Sequence, residues 1–508
     1  MSQTSFHKII FRNSIVNTLR YIINYSIIFV LTPIIIKGIG DAQYGLWALI
    51  FSLIGYAGLL DLGVQQATIK LVSEYKGKND LAKLNEIISS TVFYFFCIGL
   101  VVTLVCWFVL PRTMHHFVDD NKLLSMTGML LFIVGVDVVF VFLGNVFTGI
   151  SLGLHQYHLK GIIDVCCGLS RLVATIYVLN NGYGLIGLAW IALVLDFVAT
   201  VFLYIICIYS NPQMSVSFRH VKRSAFKEIF SFGGKIFMAS TAMRINSHTT
   251  VVLISYFLTT TMTAYYNVAA RLVGSIREVM WSLTASLFPV FSELSTSGDK
   301  KLIWKYYSQY TRYFVLLTLP AAFGLFFFSG PFISLWISDE YADNTRNVTM
   351  FLSMGMLVSG LQPLAARLMI GGGDVSFYTK ATVIKSLGVL ALSVPLILFF
   401  GLTGPPLAML LGECGYQLFL FLYLIKCFKI NVLNFLKACY FPTIIPLVSL
   451  FVFFQLVNFF IIRNELIIYS LLFVISVMIY VYLSFIFSLN DEERSIIISK
   501  FRYFKNKI

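Results

Sequence analysis

Apolar runs of membrane-spanning length follow one another from residue 15 to residue 488, separated only by short polar segments. A bilayer core takes about 20 apolar residues per helical span. In lipid, every backbone N–H and C=O must be satisfied inside the spanning element, which leaves helices or closed barrels. Barrel strands would be about 9–11 residues long and alternating in polarity; these runs are long and continuous, so they are read as helices. Only 12% of the residues are charged and the mean hydropathy is +0.85, whereas soluble domains carry about 25% charge. The expectation is an all-α polytopic membrane protein with fourteen spans, near residues 15–36, 45–69, 87–110, 123–150, 160–180, 184–209, 229–257, 262–291, 309–336, 347–370, 379–400, 403–425, 441–462 and 465–488.

Charge placement orients this map. Of the 37 Lys and Arg, 23 fall in the termini and even-numbered loops and five in the odd-numbered loops. Positive residues stay on the cytoplasmic side, so both termini are expected there. That topology accounts for most of the net charge of +14, which in a soluble chain would suggest nucleic acid. The eight Cys are scattered, six in spans and two (Cys427, Cys439) at one basic loop; no structural disulfide is expected. The first apolar stretch has full span length and carries Arg20, unlike the short core of a cleaved signal peptide. No loop is long enough for a soluble domain; the longest, about 210–228, holds Phe218-Arg219-His220-Val221-Lys222-Arg223. It divides the chain into an N-terminal six-helix half (1–210) and a second half (229–426). Two further helices (441–488) and a basic cytoplasmic tail (489–508) follow. The second span of each half has a Tyr near its start (Tyr44; Tyr265 and Tyr266) and ends in Ser-Glu (Ser73-Glu74; Ser292-Glu293). Two like-oriented halves are a recurrent transporter plan.

The stretch Gly40-Asp41-Ala42-Gln43-Tyr44-Gly45-Leu46-Trp47, then Leu59-Leu60-Asp61-Leu62-Gly63-Val64 and Ser73-Glu74-Tyr75, is a Tyr-Gly hairpin, an Asp-Leu-Gly run and a basic loop. It resembles the opening of bacterial polysaccharide-biosynthesis flippases of the O-antigen type. These belong to the multidrug/oligosaccharidyl-lipid/polysaccharide exporter superfamily. The likeness is close over about the first 85 residues, and the span plan extends it over the chain. It implies two six-helix lobes around a central cavity that opens alternately to each side. It also implies a polyprenyl-diphosphate-linked oligosaccharide (an O-antigen, capsule or exopolysaccharide unit) as cargo, moved to the outer leaflet of the bacterial inner membrane. Polysaccharide polymerase and chain-length machinery are the partners it implies.

Ionised groups inside spans are costly and face a cavity or a partner. Nine basic groups (Arg20, Arg171, Lys235, Arg244, Arg271, Arg277, Arg312, Arg367, Lys385) and six acidic ones (Asp61, Asp137, Asp164, Asp196, Glu278, Glu413) lie there. A diphosphate suits guanidinium forks, so a basic-leaning interior favours an anionic cargo. Helical spacing collects polar faces: Asn13, Asn17, Arg20 and Asn24 in span 1; Ser240, Arg244, Ser247 and His248 in span 7; Asn267, Arg271, Ser275, Glu278, Ser282 and Ser286 in span 8. Arg20 and Arg244 occupy corresponding places in the two halves. Arg20, Asn24, Arg244, Asn267 and Arg271 are therefore the expected substrate ligands. Blander readings stand beside them. Arg20, Lys235 and Arg312 lie near cytosolic span ends and can snorkel to head groups. Glu278 can pair with a neighbouring Arg, and His248 can be a packing residue. Asp61 is either a site for a coupling H⁺ or Na⁺ or a structural hairpin residue. Asp137, Asp164 and Asp196 either form a proton path or pair with Arg171.

Pro33, Pro289, Pro320, Pro363 and Pro395 interrupt spans, as hinges or as ordinary kinks. Gly371-Gly372-Gly373-Asp374 lacks the Lys-Ser/Thr of a phosphate loop, so ATP drive is not expected. Two other functions compete. A cation-coupled multidrug exporter should have an acidic-leaning interior. A membrane polysaccharide polymerase needs a long outer loop, and the segment around Asp339, Glu340 and Asp343 is short. No enzymatic activity, metal or cofactor is expected.

Overall fold

The computed structural model describes residues 23–499, apart from 155, 286, 288–290, 292–293, 295–298, 372–373, 429–431, 461–465, 492 and 496–498. Every regular element among the described residues is helical. The chain divides into two compact units, Met1–Asn267 and Val268–Ile508.

The first unit opens with α1 (Ile23–Ile39) and α2 (Asp41–Gly55), which continues as a 3₁₀ stretch, Tyr56–Asp61. There the helical path breaks. Leu62 and Gly63 take φ of 49° and 77°, and α3 (Val64–Gly77) starts afresh. The second span is thus two helices, where the apolar run 45–69 reads as one. Then come α4 (Leu81–Leu104), α5 (Asn121–Gly153), α6 (Tyr157–Asn180), α7 (Gly184–Ser210), α8 (Arg223–Phe257) and α9 (Thr260–Ala285). The unit boundary falls within α9. Side chains satisfy free N–H groups at several helix starts: Asp80 accepts from Lys83 N at 3.0 Å and Asp120 from Lys122 N at 2.7 Å.

Small residues set the close packing of α5. A Cβ on Gly99 of α4 would meet the Val139 backbone at 2.9 Å, and one on Gly153 would meet Ile69 O of α3 at 2.9 Å. Thr200 Oγ1 of α7 donates to Phe140 O of α5 at 2.9 Å. The basic loop between α7 and α8 is pinned to the start of α4. Asn85 donates to Gln213 O, Ser215 N donates back to Asn85 Oδ1 at 3.0 Å, and Ser217 N donates to Ser89 Oγ at 3.2 Å. Lys222 Nζ pairs with Glu86 at 2.7 Å.

The second unit contains α10 (Lys300–Trp336), α11 (Asp339–Leu361), α12 (Val375–Phe400), α13 (Gly404–Phe428), α14 (Val432–Cys439), α15 (Phe441–Phe460) and α16 (Leu466–Phe487). Pro320 and Pro331 lie inside α10 and Pro395 inside α12. Leu450, Phe454 and Tyr480 bury against Leu316, Phe323 and Phe327 of α10, and Tyr480 Oη donates to Leu316 O at 2.7 Å. Arg312 does not reach out to head groups. It is 7% exposed and grips Glu493, beyond α16, with bonds of 2.6 and 2.8 Å.

By length and apolarity, seven helical stretches among the described residues can cross a membrane, or eight if the bent pair of α14 and α15 is one span. One of the seven, Val375–Phe428, is 54 residues long. At about 1.5 Å per residue it exceeds two bilayer cores, and it folds as α12 and α13, turning at Gly401 with φ of 57°. The protein is an all-helical, multi-pass membrane protein.

Candidate functional site

The polar stripe of span 7 lies on α8, and its central residues grip the second span. Arg244 Nη1 donates to Gly58 O at 2.9 Å, in the 3₁₀ stretch whose carbonyls have left α-helical pairing. Glycine is what the contact allows: a Cβ on Gly58 would lie 2.6 Å from Arg244 Nη1. One turn along α8, His248 fills the space beside Gly55, where a Cβ would collide with its ring. The His248 ring lies 5.8 Å from that of Tyr56, and Tyr56 Oη shares a 2.6 Å hydrogen bond with Thr249 Oγ1. Nearer the other end, Gly45 of α2 packs directly on the backbone carbonyl of Thr260. Tyr44 Oη donates to Asn267 Oδ1 at 3.5 Å. At the loop-pinned end, Tyr75 Oη donates to Glu228 at 2.6 Å. That bond, with burial and the Glu228 charge, pushes the Tyr75 hydroxyl up to about 12.

Arg244 is exposed and makes no ion pair with a described residue. Its hydrogen bond goes to a neutral carbonyl, so among the described residues four of the five guanidinium N–H groups are left to meet something else. The Arg244 charge acts on Asp61, but that carboxylate is committed elsewhere: its Oδ1 accepts from Gln65 N at 3.0 Å and so caps α3. Asp61 thereby terminates one half of the broken span and starts the other.

Asn24 lies on α1 beside Gly168 of α6, where an added Cβ would come 3.0 Å from Asn24 Oδ1. Arg20 is outside the described residues. In the second unit, Arg271 and Glu278 are both exposed on α9. Arg367 lies over the Trp281 ring at 4.2 Å and donates to Trp281 O at 3.3 Å. Other charges within the expected spans pair: Lys160 with Asp164, Arg171 with Asp196 at 3.1 Å, and Lys385 with Glu413. Of the expected ligands in the first unit, the structure brings Arg244, with His248, to the α2 face, while Asn24 sits apart, on α1 against α6, and Asn267 reaches Tyr44. Polar periodicity picks out none of Tyr56, Gly55, Gly58 or Thr249. The signal for the pair of glycines is the spacing Gly55-Tyr56-Ala57-Gly58, small residues that let another helix approach.

The family described as "Polysaccharide biosynthesis protein" matches residues 39–346. A putative O-antigen transporter of Shigella flexneri is 20% identical over 357 residues, 69% of this chain and 82% of that protein. Among solved structures, the lipid II flippase MurJ in an inward closed conformation superposes with a TM-score of 0.73 at 18% identity, over 94% of this chain and 98% of its own. A multidrug resistance MATE family transporter of the MOP superfamily, facing inward, gives 0.70 at 12% identity over 81% and 94%. Both likenesses show a shared fold.

Proposed function

The chain belongs to the polysaccharide biosynthesis protein family, a family of transporters and not of enzymes, and from that membership we propose that it flips a polyprenyl-diphosphate-linked oligosaccharide across a bacterial cytoplasmic membrane. Arg244 carries this reading: a guanidinium midway along a polar helix, exposed and without a carboxylate partner among the described residues. It is poised for an anion, and a diphosphate accepts such forks in bidentate geometry. The Shigella relative, described as a putative O-antigen transporter, supports a glycan cargo.

In this mechanism two six-helix lobes, 1–210 and 229–426, enclose a central cavity, with both termini cytoplasmic and α15 and α16 as additions. Arg20, Arg244 and Arg271 hold the diphosphate, Asn24 and Asn267 contact cargo, and the lipid tail stays in the bilayer. The lobes rock and release the head group outside, where polymerase and chain-length machinery take it up. An ion gradient or the membrane potential, worth about 2.3 kcal/mol per charge per 100 mV, resets the cycle.

Complementation tests it. A bacterial strain lacking its own O-antigen or capsule flippase receives the wild type or the Arg20→Ala, Arg244→Ala or Arg271→Ala variant at matched expression, and surface glycan is measured. Losing one charge-assisted contact costs about 1.5–3 kcal/mol, so each variant should fall about 10- to 150-fold below the wild type. Full restoration by every variant would sink the site. Export of cationic drugs by purified protein, with no flipping of lipid-linked glycan, would sink the function.

A further inference from the structure

Seven carboxylates lie in the expected spans; Glu465, the first residue of the last span, is outside the described residues, and five of the other six have a partner. Asp61 accepts from Gln65 N, Asp164 from Lys160, Asp196 from Arg171, and Glu413 from both Lys385 and Gln417; Glu278 also interacts. Asp137, in the middle of α5, is the exception. It is 3% exposed, and its Oδ1 is buried with no hydrogen-bond partner among the described residues.

Its neighbourhood follows from helix register. Thr200 Oγ1 donates to Phe140 O, and Cys207 Sγ to Phe147 O, so α5 and α7 run side by side at a constant offset of 60 residues. The same offset sets Asp196 and Phe197 level with Asp137, and the Phe197 ring lies 5.0 Å from that of Phe140. Asp196 is the residue that pairs with Arg171 of α6 at 3.1 Å. These two are the charges that act on Asp137. From α4 and the π-helical stretch that continues it (Val105–Val109), the side facing Gly135 presents Thr103 and Cys106, an alcohol and a thiol without charge. The α3 contacts with α5 lie further along, at Gly149 and Gly153.

Two carboxyls and one guanidinium form a neutral cluster only when one proton is bound. The ion pair already satisfies Asp196, and an ionised carboxylate with an unpartnered oxygen is expensive in this surrounding. The neutral acid is therefore the form that fits Asp137. Arg171 and Asp196 are 43% and 31% exposed, so the pair is the open side of the cluster. A helix motion that parts the pair would free Arg171 to stabilise an ionised Asp137, whose proton then leaves to water.

We propose that Asp137, with Arg171 and Asp196, forms a binding site for a single proton, carried on Asp137 and exchanged as the helices move, which couples transport to the proton gradient. The coupling role rests on the flippase reading above; proton binding does not. The observation separating this cluster from the other span carboxylates is the orphaned Asp137 oxygen, since Lys385 already neutralises Glu413 and Lys160 neutralises Asp164.

Two measurements on the full-length protein test it. Infrared difference spectroscopy of purified protein in proteoliposomes, scanned over pH, reads the carbonyl band of a buried carboxylic acid. The band should appear in the wild type, vanish in Asp137→Asn and return displaced in Asp137→Glu. Flipping of lipid-linked oligosaccharide is then driven by an imposed pH difference at clamped potential. Asp137→Asn should lose the response to the gradient while retaining downhill exchange, and Asp137→Glu should recover part of it. A band that survives in Asp137→Asn overturns the site. A band that vanishes while the gradient response persists, or a response to sodium and not to pH, overturns the coupling role. Should Asp137→Asn not fold, the displaced band and partial response of Asp137→Glu decide. If the wild type flips no glycan, the function falls, and the infrared result alone upholds or removes the proton site.

Discussion

At the scale of single residues, two glycines separate packing from transport. The Cβ of Gly58→Ala would meet the tip of a flexible side chain, Arg244 Nη1 at 2.6 Å. Arg244 can swing aside, so the fold should survive, losing about 1.5–3 kcal/mol at most for one hydrogen bond from a charged donor. Flipping should fall, because the guanidinium no longer sits where cargo meets it. Gly45→Ala differs in kind: its Cβ would enter the backbone at Thr260, which cannot step aside without moving a helix. That should cost about 1–3 kcal/mol, as overpacking does, and lower expression and melting temperature together. Melting of detergent-purified protein alongside proteoliposome flipping checks both. Unchanged flipping in a well-folded Gly58→Ala would show that Arg244's position against Gly58 is irrelevant to cargo. Arg244 is legible in the sequence, since Ser240, Arg244, Ser247 and His248 repeat at helical spacing. Its partner is not, because periodicity says which face is polar and is silent on what lies 186 residues away in the chain.

At the scale of elements, the second span shows what a hydropathy reading misses. Apolar residues run through 45–69, yet the path breaks at Leu62 and Gly63. The local chemistry predicts such a break: glycine accepts a positive φ, and an Asp just ahead of a helix caps it. Apolarity and capping compete here, and capping wins because Asp61 Oδ1 satisfies Gln65 N at 3.0 Å. Replacing Asp61 therefore has a graded outcome. Asp61→Asn keeps an acceptor and should lose a few tenths of a kcal/mol, whereas Asp61→Ala should lose about 1 kcal/mol. Equal losses in thermal melts would remove the capping role. The same competition hides spans. Stretches that pass on apolarity alone number seven or eight among the described residues, while α9 and α11 are long enough but too polar to pass. In α9 the polar stripe of Asn267, Arg271, Ser275 and Glu278 lowers the apolarity, so the helices proposed to touch cargo are those a hydropathy count drops. The expectation of fourteen spans therefore rests on charge bias along the chain as much as on hydropathy.

At the scale of the whole molecule, the chain's end is tied into its second unit by one buried cluster that sequence spacing could not pair. Glu493 accepts from Arg312 at 2.6 and 2.8 Å, from Tyr313 Oη at 2.5 Å and from Gln309 at 2.9 Å. Just beyond it, Arg494 donates to Phe485 O at the end of α16. Burial alone would push the Glu493 carboxyl up, but the bonds from Tyr313 and Asn490 N and the Arg312 charge outweigh it and hold the group below its ordinary value. For a carboxylate depressed in the folded state, the stabilisation is present above the unfolded value, about 4.3, and is lost as pH falls through the folded one. Neutral pH therefore keeps the tie, and strong acid opens it. Glu493→Gln leaves Arg312 buried without its counter-charge, a loss of about 3–5 kcal/mol. Deleting residues 489–508 should cost as much, since the same guanidinium is orphaned. Arg312→Met with Glu493→Leu removes both charges and should recover most of the loss, because a well-packed apolar pair replaces an ion pair at little net cost. Melting midpoints at one scan rate, compared at neutral and acid pH, decide it. In acid the wild type should fall to the level of Glu493→Gln and below the double variant. A double variant no more stable than Glu493→Gln at neutral pH would mean that shape, and not charge, holds the tail to α10.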